Sequence, residues 1–62
     1  MILTEQQKEI LTKYNVDYNV STLGELLINI DWVMDDYLDN NNEPTEDFKI
    51  LEKLYDEILD AN

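Results

Sequence analysis

The chain has 62 residues, 44% of them hydrophobic, and a formal net charge of −11 from 15 acidic and four basic side chains. With no cysteine or histidine, it has no disulfide, thiol nucleophile, imidazole base or common zinc or copper site. So strong a negative charge also opposes direct binding to nucleic acid or to an anionic membrane surface.

One small domain over residues 1–62 is expected, close to the lower size limit for burying a core. Glycine and proline occur once each, which argues against a disordered linker. The start, Met1 to Glu5, has neither a basic n-region nor an apolar h-region, and no later stretch approaches a membrane span in length. The expected setting is therefore cytoplasmic, away from membranes. The charge is uneven: residues 1–24 hold three acids and two lysines, whereas residues 25–62 hold twelve acids and two lysines.

The first helix is predicted over about 5–14. Thr4-Glu5-Gln6-Gln7 has capping-box spacing, Leu3, Gln7, Ile10, Leu11 and Tyr14 follow the 3.6-residue period, and Asn15 is suited to a left-handed terminator. Val16-Asp17-Tyr18-Asn19-Val20 then alternates with the period of a strand. With no second strand to pair with, it is read as an extended connection at about 16–20 that sets Val16, Tyr18 and Val20 against the core. Pairing with another chain would use the same pattern.

A second helix is predicted over about 22–39. Ser21 or Thr22 supplies its cap, Thr22-Leu23-Gly24-Glu25 repeats the capping-box spacing, and Leu23, Leu26, Leu27, Ile30, Val33, Met34, Tyr37 and Leu38 fit an arc of about 140 degrees. Asn40-Asn41-Asn42-Glu43-Pro44 reads as a loop. Thr45 caps a third helix, predicted over about 46–60, with Phe48, Leu51, Leu54, Tyr55, Ile58 and Leu59 as its apolar stripe. The expected fold class is all-α, a small three-helix bundle. The alternative is a hairpin of the second and third helices, with the first helix docked on it or on a second copy of the chain.

Catalysis is not expected. Paired carboxylates perform general acid and base chemistry only in a partly dry, concave site that drives their pKa values apart, and a bundle this small has little interior for one. A calcium site is suggested by Asp35 to Glu43, but the EF-hand test fails. With Asp39 at the first position, Pro44 takes the glycine position and Ile50 replaces the bidentate glutamate. No metal and no other cofactor is expected.

The sharpest feature is on the back of the second helix. Ile28 and Trp32 lie one turn apart and opposite the apolar stripe, with Glu25, Asp35, Asp36 and Asp39 around them. An apolar centre containing tryptophan inside an acidic rim is the composition of a binding hot spot. Ile28, Trp32, Glu25, Asp35, Asp36 and Asp39 are therefore the candidate partner-binding residues, and a basic protein is the expected partner. The structural alternative is that the first helix or the 16–20 segment covers Trp32.

Two other functions fit the composition. In the first, the protein mimics DNA: Glu25, Asp31, Asp35, Asp36 and Asp39 span about 21 Å of helix, roughly one charge per 4 Å. Adding the third helix brings this to roughly one net charge per 2.3 Å if the groups face one way, against one per about 1.7 Å of duplex. In the second, Ile28 and Trp32 form the seam of a structural homodimer. The richness in Asn, Ile, Tyr and acidic residues resembles small accessory proteins of AT-rich bacterial or phage genomes. That resemblance assigns no role to any residue; the role of an inhibitor or accessory factor, as in an antitoxin, antirestriction or other counter-defence protein, is the expectation for the basic-partner reading.

Overall fold

Three threonines start three helices. Thr4, Thr22 and Thr45 each adopt extended backbone and accept the N–H of the residue three positions on, from Gln7, Glu25 and Phe48 at 3.1, 3.2 and 3.3 Å. The bonds satisfy donors that a helix leaves open at its N-terminus. In the computed structural model, which describes residues 2–62, the helices are α1 (Glu5–Lys13), α2 (Leu23–Asp35) and α3 (Glu46–Ala61). The fold is the expected all-α three-helix bundle. At Thr4 the capping box is complete, since the Gln7 side chain accepts the Thr4 N–H at 2.9 Å.

Asn15 ends α1 as its chemistry predicts. It takes a left-handed φ of 58°, which asparagine tolerates better than most residues. The Asn15 N–H donates to the Thr12 carbonyl at 3.1 Å and the Val16 N–H to the Leu11 carbonyl at 2.8 Å. These are the paired bonds of a Schellman motif, and Leu11 and Val16, the apolar pair that accompanies it, both lie in the core. Residues 16–20 then leave Asp17 and Asn19 exposed while Val16, Tyr18 and Val20 pack inward, as the alternation predicts.

The second helix is shorter than predicted, ending at Asp35 instead of near residue 39. Tyr37 and Leu38 continue the apolar period, but they do so on non-helical backbone. The Asp36 and Tyr37 N–H groups fall back to carbonyls three residues earlier, which tightens the last turn. The Tyr37 carbonyl then accepts the Thr45 hydroxyl at 2.5 Å and the Thr45 N–H at 3.4 Å. Leu38 and Pro44 form an isolated antiparallel bridge that closes the reversal between α2 and α3. Carboxylates disfavour extension here too: Asp35, Asp36 and Asp39 gather at the negative end of the helix dipole, and an Asp35–Asp39 pair at i, i+4 would repel.

Leu26, Ile30 and Met34 from α2 meet Leu51, Leu54 and Ile58 from α3, with Leu11, Tyr14 and Val16 completing one core. The Cα radius of gyration is 11.3 Å, near the value of about 10.5 Å for a compact chain of this length. The Asn62 side-chain amide joins the two ends, accepting the Ile2 N–H at 2.8 Å and donating to the carbonyls of Ile2 and Ile58 at 3.3 and 2.9 Å.

One polar contact ties α1 to α3 at the edge of the core. The Tyr14 hydroxyl donates to the Asp47 carboxylate at 2.6 Å, and the Tyr14 ring meets Tyr37 edge to face with centroids 5.4 Å apart. The hydrogen bond to Asp47, then burial, then the negative charges of Asp47 and Tyr37, raise the Tyr14 pKa from 10.0 to about 12. Folding therefore favours the neutral phenol. Its contribution is complete below pH 10 and is lost as pH rises towards 12. Tyr14→Phe should cost about 2 kcal/mol at neutral pH, and urea unfolding of the two proteins should show this gap closing between pH 10 and 12.

Candidate functional site

The burial pattern of α2 resolves the status of Trp32. Leu26, Ile30 and Met34 take the inner face, whereas Trp32 is 69% exposed and Ile28 is 52% exposed. Neither α1 nor the 16–20 segment covers them. At 100 degrees per residue, Ile28, Trp32, Glu25, Asp35 and Asp36 occupy an outward arc of about 100 degrees. Five of the six candidate residues thus share one stripe. Isolated exposed apolar residues are ordinary, and Ile2, Ile50 and Leu59 are also exposed. What distinguishes Ile28 and Trp32 is their adjacency on one face together with the carboxylates around them.

Each acid in the rim has its own local setting. Glu25 sits at the N-terminal end of α2, where its carboxylate accepts the Ser21 N–H at 3.4 Å. The sequence predicts a reciprocal box with Thr22, but Glu25 reaches one residue further back. A carboxylate here is favoured by the positive end of the helix dipole. Asp35 and Asp36 follow Trp32 by one turn and lie at the opposite, negative end. The last turn of α2 has no basic residue. The two ion pairs among the described residues, Lys8 with Glu5 at 3.5 Å and Lys53 with Glu57 at 4.0 Å, are both remote from this helix in sequence.

Asp39 is placed differently from its predicted position on the helix. It lies in the loop beyond α2, where its Oδ1 accepts the N–H groups of Asn41 and Glu43 at 2.8 and 2.9 Å. Its own N–H donates to the Glu43 carbonyl at 2.9 Å, and Asn42 closes the turn with a φ of 60°. The side chain organises the α2–α3 connection. Asp39→Ala should cost about 1–2 kcal/mol through these two bonds, whereas Asp39→Asn retains an acceptor oxygen and should cost less. Thermal unfolding of the two variants reads this difference separately from any effect on binding.

A second set of residues completes the surface, and the sequence reading did not include it. Asn15, Val16, Asp17, Asn29, Trp32 and Val33 line a shallow notch of about 270 Å³ where the end of α1 meets the flank of α2. Asn29 donates its side-chain N–H to the Asp17 carbonyl at 3.1 Å, and the Asp17 carboxylate accepts the Asn19 N–H at 2.9 Å. Asn29 is three residues before Trp32, so helical spacing alone places it beside the indole. Asp17 arrives there only through tertiary packing, and no spacing in the sequence signals it.

Among the described residues, no group of three or more acids converges in a geometry suited to a metal ion, and no helix is long and apolar enough to cross a membrane. A groove between α1 and α3 is lined by Ile10, Ile50 and Leu54 together with Lys53 and Glu57. Its lining is of mixed charge, in contrast to the outward face of α2. Compared with known protein families, curated proteins and solved structures, the chain matches none of them.

Proposed function

We propose that the protein is a small acidic binding module, with no catalytic role, that docks a basic partner protein through the outward face of α2. Ile28 and Trp32 form its apolar centre, and Glu25, Asp35 and Asp36 form its rim. The observation that carries this reading is the 69% exposure of Trp32 on a helix with no basic residue between Leu23 and Asp35. A large indole left in water is an unused source of binding free energy. Uncompensated carboxylates at the negative end of a helix lower local stability, and a cationic partner reverses that cost. Long-range attraction would speed encounter, and desolvation of Trp32 would slow release.

The arrangement favours this reading over DNA mimicry. Helical spacing sets Glu25, Asp35 and Asp36 on the side of α2 away from the core, while on α3 Asp47 turns inward to the Tyr14 hydroxyl, so the acids do not all face one way. A single face is then left nearer to one charge per about 4 Å than to the density of a duplex. A homodimer seam at Trp32 would bring two acidic rims together, which opposes association. In function, the module would act as an inhibitor or accessory factor of the protein it binds.

The test is affinity capture from the native host's lysate in low and high salt beside a Trp32→Ala control, followed by reconstitution with the purified partner. A basic protein that binds the wild type with moderate salt sensitivity, and that Trp32→Ala loses, is the expected result. Equal affinity for wild type and Trp32→Ala in the purified complex would overturn the site. Competition by duplex DNA with a steep salt dependence would favour mimicry instead. Sedimentation across a concentration series reports self-association.

A further inference from the structure

We infer that the notch beside Trp32 receives a single arginine side chain from the partner, so that the docked segment is recognised by a guanidinium and not by positive charge alone. The inference rests on the reading of the α2 face as a docking surface, and it adds the chemistry of what enters.

The notch is small. At about 270 Å³ it lies below the usual range of about 300–1,000 Å³ for small-molecule pockets, but it is large enough for one long side chain. The partly buried Val33 offers an apolar surface to an aliphatic stem, and Trp32 presents an exposed indole. The polar groups are biased towards acceptors. Asn29 already commits an amide proton to the Asp17 carbonyl. The Asp17 carboxylate receives only the Asn19 N–H among the described hydrogen bonds, which leaves acceptor capacity on an ionised group.

A guanidinium meets each of these features. It carries five donors and no acceptor, it stacks on an indole face, and its planar fork suits a carboxylate. An ammonium is a compact, strongly hydrated point charge that gains less from the stacked surface. The chain supplies no cation of its own to this place, since none of its lysines lines the notch.

The experiment is an NMR titration of the isotope-labelled full chain at low ionic strength with two capped pentapeptides, one holding a single arginine among glycines and the other a single lysine. Saturable shifts are expected at the Trp32 indole N–H and the Asn29 side-chain amide, with the arginine peptide binding about tenfold more tightly. Asp17→Asn should weaken the arginine peptide about fivefold or more, while Asp56→Asn, the same charge change on α3, leaves it unaltered. Equal binding of the two peptides, or equal loss in the two variants, overturns the proposal. With the purified partner, binding lost on Trp32→Ala but kept on Asp17→Asn refutes the notch and leaves the docking surface standing. Binding kept by both variants refutes the surface as well.

Discussion

Ile30→Ala is expected to leave a large fraction of the chain unfolded, while Ile28→Ala, two residues earlier on the same helix and of identical chemistry, leaves it folded. Ile30 is fully buried and Ile28 is 52% exposed. Removing a buried isoleucine or leucine to alanine costs about 2–5 kcal/mol. A chain of this length has roughly 3–9 kcal/mol of total stability by the usual per-residue range, so one core truncation consumes much or all of it. Leu26→Ala should behave like Ile30→Ala, because Leu26 is equally enclosed between α2 and α3. Exposed substitutions fall within about 0.5 kcal/mol. Urea unfolding followed by circular dichroism reads the contrast, and comparable losses for Ile28→Ala and Ile30→Ala would mean that the outward face of α2 is buried after all.

Trp32→Ala is expected to separate folding from binding. With so little of the indole packed against the chain, the variant should unfold within about 0.5 kcal/mol of the wild type. Its affinity for the basic partner should fall by 2 kcal/mol or more, roughly thirtyfold. Most of that change should appear in the dissociation rate, because long-range charge attraction survives the substitution. Asp35→Asn and Asp36→Asn together should do the reverse, lowering the association rate and the salt dependence while dissociation changes less. Calorimetry and surface kinetics at two salt concentrations measure both effects.

The parts of the fold legible in the sequence are those encoded by local chemistry. Three threonine caps, the left-handed Asn15 and the in–out alternation of Val16 to Val20 each follow from a few neighbouring residues, and each is present. The end of α2 was not legible, because Tyr37 and Leu38 keep an apolar period after the backbone has left the helix. The bonds that hold this reversal come from Thr45, eight residues on from Tyr37. Asp39 lies beyond that boundary, in the loop that its carboxylate organises and not on the predicted helix.

The candidate site was legible as a composition and not as a surface. Helical spacing places Ile28 and Trp32 together on the back of α2, but a central helix can be buried on two sides, and only the course of α1 and residues 16–20 decides whether the back is covered. That course also brings Asp17 to Asn29. The notch is consequently a product of packing between segments 12 residues apart in sequence, beyond the reach of any periodicity argument.

The most direct test of the Trp32 surface is the emission maximum of this single tryptophan, recorded over a dilution series of the free protein and then on addition of the purified partner. A solvent-exposed spectrum at every concentration of free protein, moving to shorter wavelength when the basic partner binds, is the predicted result. A buried-indole spectrum in the dilute free chain, or an exposed one that the bound partner leaves unchanged, would contradict it.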